Sequence, residues 1–432
     1  MYSEVICLII NAALYILFTI YCIKKYGLSY KSLPAIIWAA SSIVSIMYFT
    51  HPFRPTTVIF HDNISLFPLV YLFLMVVISI VPLLKFESEK ITTICINQTF
   101  FYVLCIFIII LTAISFYDNI KYFANNMFAS DAFIDTYKDK MSGRKLEILQ
   151  GIPAKCMRWL KYLRGIIPIL FIISFSKYVK PNISIRCGLA LAMMNIIINF
   201  LNSSSRFALL TDFLYLVFLY LMFSSIQSFS KKINKIIRTV FFIFGGVLMT
   251  GVVAMTLQRF SDNAYYKGMD YTLELYMGEG MCNFAGDMWN MPNTTDGENC
   301  FGSFIYKWEG KDNIERNFLH LEGIVHRRMN VFYTFVGDYY TDFGRYITPL
   351  FIIIISTLTI LFSRCKKRVS LQPFIILALQ VKILVIGITY WTYLNYSFEI
   401  IGSISVAIAF SILTKNTSST YDFNRSCIIQ RC

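Results

Sequence analysis

The sequence predicts an all-α polytopic membrane protein with about eleven transmembrane helices and one large outer loop. Three observations predict it. Of the 432 residues 56% are hydrophobic and only 15% charged, with a mean hydropathy of +0.59, which excludes a soluble domain. Apolar runs recur at the roughly 20-residue length that a bilayer core of about 30 Å requires. Lysine and arginine collect in alternate short connections, as they do on the cytoplasmic side of membrane proteins.

The expected spans lie near 4–23, 33–50, 64–84, 99–117, 165–180, 184–201, 207–226, 237–257, 347–363, 371–391 and 398–414. The first lacks a basic leader and a small-residue cleavage site, so it is expected to stay as a helix. Lys24, Lys25 and Lys31 follow span one, Lys85 and Lys90 span three, and Lys177 and Lys180 span five. Lys231, Lys232, Lys235 and Arg238 follow span seven, and Arg364, Lys366, Lys367 and Arg368 span nine. Every odd-numbered exit is therefore cytoplasmic, with the N-terminus outside and the tail inside. Segment 118–163 is basic although parity puts it outside; long loops obey the rule less well.

Three regions follow. Residues 1–257 form a transmembrane bundle of spans one to eight with an outer loop at 118–163. In that loop Met157, Leu160 and Leu163 recur at helical spacing between cations, which predicts a short helix on the membrane surface. Residues 258–346 form the large outer loop, partly helical, with turn chemistry in "NMPNTTDGENCFGS" and a break expected near Gly337 or Gly344. Residues 347–432 hold spans nine to eleven and a short cytoplasmic tail.

The formal charge of +14 hides an asymmetry: from Arg259 to Arg345 thirteen acids face eight lysines and arginines, so the rest of the chain carries +19. That charge is dispersed over cytoplasmic flanks, where it meets anionic lipid, rather than gathered on one face; nucleic acid is not an expected partner. No HExxH, CxxC, phosphate-binding loop or dinucleotide fingerprint occurs, and neither metal nor cofactor is expected. Cys282 and Cys300 both lie in the outer loop, in an oxidising compartment on this topology, and are expected to form a disulfide. Asp212 and Lys382 are lone charges in apolar spans at similar depth and are expected to pair.

The densest chemistry is "HRRMNVFYTFVGDYYTDFG", residues 326–344, set directly against span nine. His326 has a suitable ordinary pKa for a base, with Glu322, Asp338 and Asp342 as rivals. Arg327, Arg328, Arg259 and Arg345 are available cations, and Tyr333, Tyr339 and Tyr340 flat faces. A second stretch, "NFLNSSSRFALL", puts Arg206 at the outer mouth of span seven after three serines. There a guanidinium and free helix N–H groups could grip an anion together. The structural alternatives are interfacial anchoring and pairing of Asp338 and Asp342 with Arg345 and Arg328.

"SSSR" opening an apolar helix, a large late outer loop, and "NVFYTFVGDYYTDFG" before the next span resemble the Wzy-type polymerases of O-antigen and capsular polysaccharide. The match covers about forty residues and the topology. An arginine eleven residues before a glycine, as in some members, is missing here; His326 stands eleven before Gly337. Eleven spans also differ from the even number of many relatives.

The resemblance implies a GT-C-like polymerase/ligase bundle and a metal-independent glycosyltransferase of the bacterial inner membrane. Its partners would be polyprenyl-pyrophosphate-linked donor and acceptor oligosaccharides and membrane lipid, with a chain-length regulator as a further candidate. His326, Arg206, Arg327 and Arg328 would act at the reacting centre. Arg259, Glu322, Asn330, Tyr333, Asp338, Tyr340, Asp342 and Arg345 would bind substrate. An O-antigen ligase and a polysaccharide flippase or transporter are the alternatives; the ninety-residue outer loop favours an enzyme.

Overall fold

The computed structural model describes residues 2–51, 60, 62–127, 149–202, 206–226, 235–240, 242–243, 245–247, 250–251, 253, 269–302, 318–329, 331–389 and 399–414. It is predominantly α-helical. In chain order the elements are α1 (Tyr2–Tyr26), α2 (Leu33–Thr50), α3 (Leu66–Lys85), β1 (Thr93–Ile94), α4 (Gln98–Met127), α5 (Gly151–Tyr162) and α6 (Ile167–Ser174). Then come α7 (Ile183–Asn202), α8 (Arg206–Ile226), α9 (Met269–Asn283), α10 (Phe318–Val325), α11 (Thr334–Phe362), β2 (Arg368–Val369), α12 (Gln372–Ile386) and α13 (Glu399–Thr414).

Seven of the described helices, α1 to α4, α7, α8 and α11, are long and apolar enough to cross a membrane. Their outward faces are themselves apolar: α1 exposes Ile6, Ile9, Leu17 and Tyr21, the pattern of a helix whose surroundings are lipid. The chain is a multi-pass membrane protein. The expected count of eleven is not reached among the described residues. Spans ten and eleven appear as the shorter apolar helices α12 and α13, and 237–257 is described only in part. The fifth expected span is corrected. Its apolar run folds as α6, eight residues long and so about 12 Å at 1.5 Å per residue, too short to cross a bilayer.

The chain divides into two compact units, each assembled from separate stretches. The first comprises Met1–Lys85, Asn263–Leu361 and Gln380–Ser397. Here α1 and α2 pack side by side, with Thr19 donating to the Ala35 carbonyl at 2.9 Å, and Tyr15 of α1 meets Phe73 of α3 edge to face. Helix α9 lies against the other side of α2. Gly278 makes that crossing close: a Cβ there would sit 2.6 Å from the Val44 carbonyl oxygen. Leu8, Tyr48, Phe49, Ile64, Leu69, Cys282 and Ala285 form a buried cluster at this junction. Much of the residue range expected as an outer loop is thus helix packed on predicted spans.

The second unit comprises Phe86–Asp262, Phe362–Leu379 and Phe398–Cys432. Strands β1 and β2 pair in parallel, Thr93 beside Arg368 and Ile94 beside Val369. Helices α4 and α7 share a polar seam inside an apolar interface. Asn119 donates to Asn195 Oδ1 at 2.8 Å and accepts from Asn202 at 2.8 Å, and Asn195 donates to Ser115 at 2.8 Å. Interhelical amide bonds of this kind tie membrane helices together where apolar surface gives no preference. Helix α5 forms as expected, burying Met157 and Leu160 while Arg158 and Lys161 stay exposed.

Asp212 has a cation that the sequence reading did not single out. Its partner was expected to be Lys382, which is buried in α12. The cation that grips Asp212 is Arg164, with Nε 3.0 and 2.9 Å from the two carboxylate oxygens and Nη2 2.6 Å from Oδ1. The guanidinium also lies 4.2 Å from the Phe200 ring centroid.

Candidate functional site

The strip 326–346 lies wholly in the first unit, and its backbone is unusual before its side chains are considered. Helix α10 ends at His326, whose amide bonds to the Glu322 carbonyl at 2.8 Å and whose φ is +52°, the left-handed stop common just beyond a helix end. Glu322 then accepts from the Met329 amide at 2.7 Å, closing the turn. Thr334 has φ +72°, a costly value for a β-branched residue. Three bonds hold it there: the amides of Tyr333 and Thr334 reach the Thr389 carbonyl at 3.1 and 2.7 Å, and that of Phe335 reaches Gly387 at 2.9 Å. Helix α11 starts from this clamp and breaks at Gly344, φ +67° and ψ −172°, a region almost confined to glycine. The expected break therefore falls at Gly344; Gly337 stays helical.

The cations of the strip have three different fates. Arg327 spends its nitrogens on main-chain carbonyls: Nε on Asp287 at 2.8 Å, Nη1 on His326 at 3.0 Å and Nη2 on Asn290 at 3.0 Å. Asp287 and Asn290 lie at the C-terminal end of α9 and the π-turn Phe284–Met288 that extends it, the negative end of a helix dipole. Arg327 caps this helix end, with Nε, Nη1 and Nη2 each on a main-chain carbonyl. Arg328 donates once, from Nη2 to Asp287 Oδ2 at 2.6 Å, and its buried Nε has no hydrogen-bond partner. Arg345 lies over the Trp289 ring at 4.2 Å.

The carboxylates of the strip are structural. Asp342 accepts from Thr295 Oγ1 at 2.5 Å and from the amides of Asn299 and Cys300 at 2.9 and 2.8 Å, capping the short helix that begins at residue 298. Asp338 accepts from the Asn299 side chain at 3.0 Å. Both are buried, with Asp338 at 0% and Asp342 at 1% exposure. They brace the segment beside α11; Asp342 spends its oxygens on Thr295, Asn299 and Cys300 rather than on an arginine.

The aromatic expectation is corrected for the same reason. Tyr333 and Tyr339 are 1% exposed. The Tyr333 hydroxyl donates to Met329 Sδ at 3.1 Å, and Tyr339 packs on Phe335 and Phe351. Tyr340 stacks on Trp289 and donates to its carbonyl at 2.6 Å. These rings fill the protein; no face of Tyr333 or Tyr339 is offered to a sugar. His326, by contrast, is exposed.

A cleft of about 390 Å³ opens beside the strip, lined among others by Trp289, Asn290, Asn293, Thr294, Tyr340 and Arg345. Amides, a hydroxyl and a guanidinium on an aromatic wall suit a polar ligand with hydroxyl and anionic groups. Arg206 stands at the first residue of α8, as expected; its side chain, the preceding serines, Arg259 and Asn330 lie outside the described residues.

Sequence reasoning missed the other half of this region. Glu279, Asn283 and Asp287 recur every fourth residue along α9 and the π-turn, and are 5%, 0% and 0% exposed. They form a polar stripe that ends on Arg328 through Asp287. Glu279 accepts from Tyr48 OH at 3.4 Å. Burial pushes its carboxyl up to about 7 against the opposing pull of Asn283, Arg328, the Phe332 backbone and Tyr48. Glu274 lies 3.9 Å from His51, and Asp62 3.9 Å from Arg327. The recurrence of polar residues at every fourth position in "MGEGMCNFAGDMWN" is the available signal, in a segment whose polar composition otherwise suits a loop. Among the described residues no group of three or more His, Cys, Asp or Glu side chains could hold a metal ion.

Cys282 and Cys300 are buried thiols and not a disulfide, a further correction. Cys282 faces α2, donating to the Ser45 carbonyl at 3.5 Å, while Cys300 sits under the Asp342 cap. Comparison with known protein families, curated proteins and solved structures finds no match to this chain.

Proposed function

We propose that this chain is a multi-pass glycosyltransferase that joins polyprenyl-pyrophosphate-linked oligosaccharide repeat units into O-antigen or capsular polysaccharide, at the outer face of a bacterial inner membrane. The observation that carries the reading is the half-satisfied guanidinium of Arg328. It is tied to a buried aspartate by a single bond, keeps an unpartnered Nε, and belongs to the strip that resembles the polymerases. A cation so held can accept an anionic leaving group without a metal, the electrostatic contribution that is often largest. Arg345 in the cleft is a further cation for the pyrophosphate, and the cleft amides suit sugar hydroxyls. His326 and Glu322 stay with the strip; Arg327, Asp338 and Asp342 support it from behind.

The test is a deletion strain scored for glycan ladders. Loss of a polymerase leaves a single repeat attached to its acceptor, loss of a ligase leaves none, and loss of a flippase removes lipid-linked repeats from the outer leaflet. A ladder unchanged by the deletion would end the reading. Complementation with Arg206→Lys, which keeps charge and loses the planar fork, is expected to restore protein and leave polymer sharply reduced.

A further inference from the structure

Two buried polar atoms without hydrogen-bond partners belong to residues that act on Glu279, one on α9 and one on the 326–344 strip. Asn283, 0% exposed, donates from Nδ2 to the Phe332 carbonyl at 2.8 Å, while its Oδ1 has no partner. Arg328 offers an unpartnered Nε–H. One position is an acceptor waiting for a donor and the other a donor waiting for an acceptor. Leaving such groups buried costs free energy that a native fold normally avoids. A hydroxyl group can meet either kind of atom, since it donates one hydrogen and accepts through its oxygen. Glu279 lies one turn before Asn283 on the same face.

We propose that Glu279 is the base that takes the proton from the acceptor sugar's hydroxyl. The inference rests on the polymerase reading above and names the group that reading left unassigned. The hydroxyl oxygen forms a bond to the anomeric carbon of the donor. The carbon–oxygen bond to pyrophosphate breaks, and its electron pair leaves with the polyprenyl pyrophosphate. The hydroxyl proton passes to the Glu279 carboxylate and from there to water. Asn283 Oδ1 and Arg328 Nε orient the hydroxyl.

Of the neighbouring carboxylates, Asp287 is bonded to Arg328, Asp338 and Asp342 to residues 295–300, and Glu322 to the Met329 amide. The charged and titratable groups facing Glu279 are Tyr48 from α2 and Arg328 from the strip, with Asn283 and the Phe332 backbone completing its surroundings. Burial shifts its carboxyl up to about 7, so its carboxylate is a stronger base than an ordinary one and is still partly ionised at neutral pH, the range in which a general base works best.

The test uses membranes of the deletion strain carrying the full-length chain, supplied with lipid-linked repeat units. Polymer formation is followed from pH 5 to pH 9, with protein quantified by immunoblot. Wild type is expected to rise in rate through a midpoint near the Glu279 value of about 7. Glu279→Gln, isosteric and uncharged, is expected to lose about 10²-fold or more, the contribution of a general base, at unchanged protein level, and to lose the rise with pH. Glu279→Asp is expected to retain partial rate with a shifted midpoint. Wild-type ladders from Glu279→Gln overturn the assignment while leaving the polymerase reading intact. If Glu279→Gln fails to accumulate, an Asp variant with an unshifted midpoint overturns it equally. A deletion strain that still makes full-length polymer overturns both.

Discussion

Arg164 with Asp212 and Arg328 with Asp287 are chemically the same pair, yet they are built for different ends. Arg164 meets both carboxylate oxygens, stacks on Phe200, and is 7% exposed against 14% for its partner. Arg328 makes one bond, keeps a nitrogen unpartnered, and is 28% exposed against 0% for Asp287. A bidentate, enclosed pair has both carboxylate oxygens engaged and ties together the segments that carry it. A pair with one bond and an open nitrogen holds its cation in place with donor capacity to spare.

The sharpest way to break the comparison is one substitution made twice. Arg164→Lys loses the fork and part of a buried pair whose disruption costs about 3–5 kcal/mol. The amount of folded protein extracted from membranes is expected to fall severalfold or more. Arg328→Lys keeps the charge beside Asp287 but removes the Nε–H. Protein is expected to persist while polymer drops by roughly 10- to 100-fold, of the order of one charge-assisted hydrogen bond. Similar losses of protein from both variants would erase the distinction.

Arg327 sharpens it from within the strip. Arg327→Ala removes the bonds to the carbonyls of Asp287, His326 and Asn290, and thermal stability in detergent is expected to fall by about 2 kcal/mol. Polymer should decline only in proportion to folded protein; a fall in rate per folded molecule would return Arg327 to the reacting centre.

A smaller effect is expected from pH. The Glu279 carboxyl is raised from 4.5 to about 7 in the fold, so folding takes up a proton between those values. Stability contributed by the protonated form is present below the unfolded value and is lost as pH rises through the folded one. Thermal scans should show wild type losing stability across that window, and Glu279→Gln should flatten the loss. Parallel curves for the two proteins would place the titrating group elsewhere.

The smallest effect belongs to the cysteines. Denatured under non-reducing conditions, Cys282 and Cys300 should both react with a thiol reagent, since both are thiols. A mass shift appearing only after reduction would contradict the fold around Ser45 and Asp342.

What the sequence disclosed follows from what one-dimensional patterns encode. Hydropathy located α1 to α4, α7, α8 and α11 because a lipid-facing helix must be apolar along its whole length. It overcounted at 165–180, where the run is apolar but turns at residues 163–166 and again after Ser174 leave only α6. Asp212 stood out as a lone charge, but its partner did not. Depth along a straight helix says nothing of azimuth, and Arg164 read as one more cation of a surface helix. Density of charge drew attention to 326–345. Which of those side chains face inward depends on the left-handed turns at His326 and Thr334, and no hydropathy period records these. Glu279 was illegible because its helix is polar, short and buried by its neighbours rather than by its own composition.

The π-turn at Phe284–Met288 has a consequence of another kind. The Trp289 amide reaches back five residues to Phe284 at 3.1 Å, so the helix accommodates one residue beyond the ordinary count. Each residue of an α-helix advances the chain by about 100°. The wide turn takes up that extra residue, so the chain beyond it keeps the facing of an uninterrupted α-helix, and Trp289 and Asn290 still line the cleft. Identity counts there as much as number: a Cβ at Gly286 would sit 2.8 Å from the Phe60 ring, and Asp287 holds Arg328.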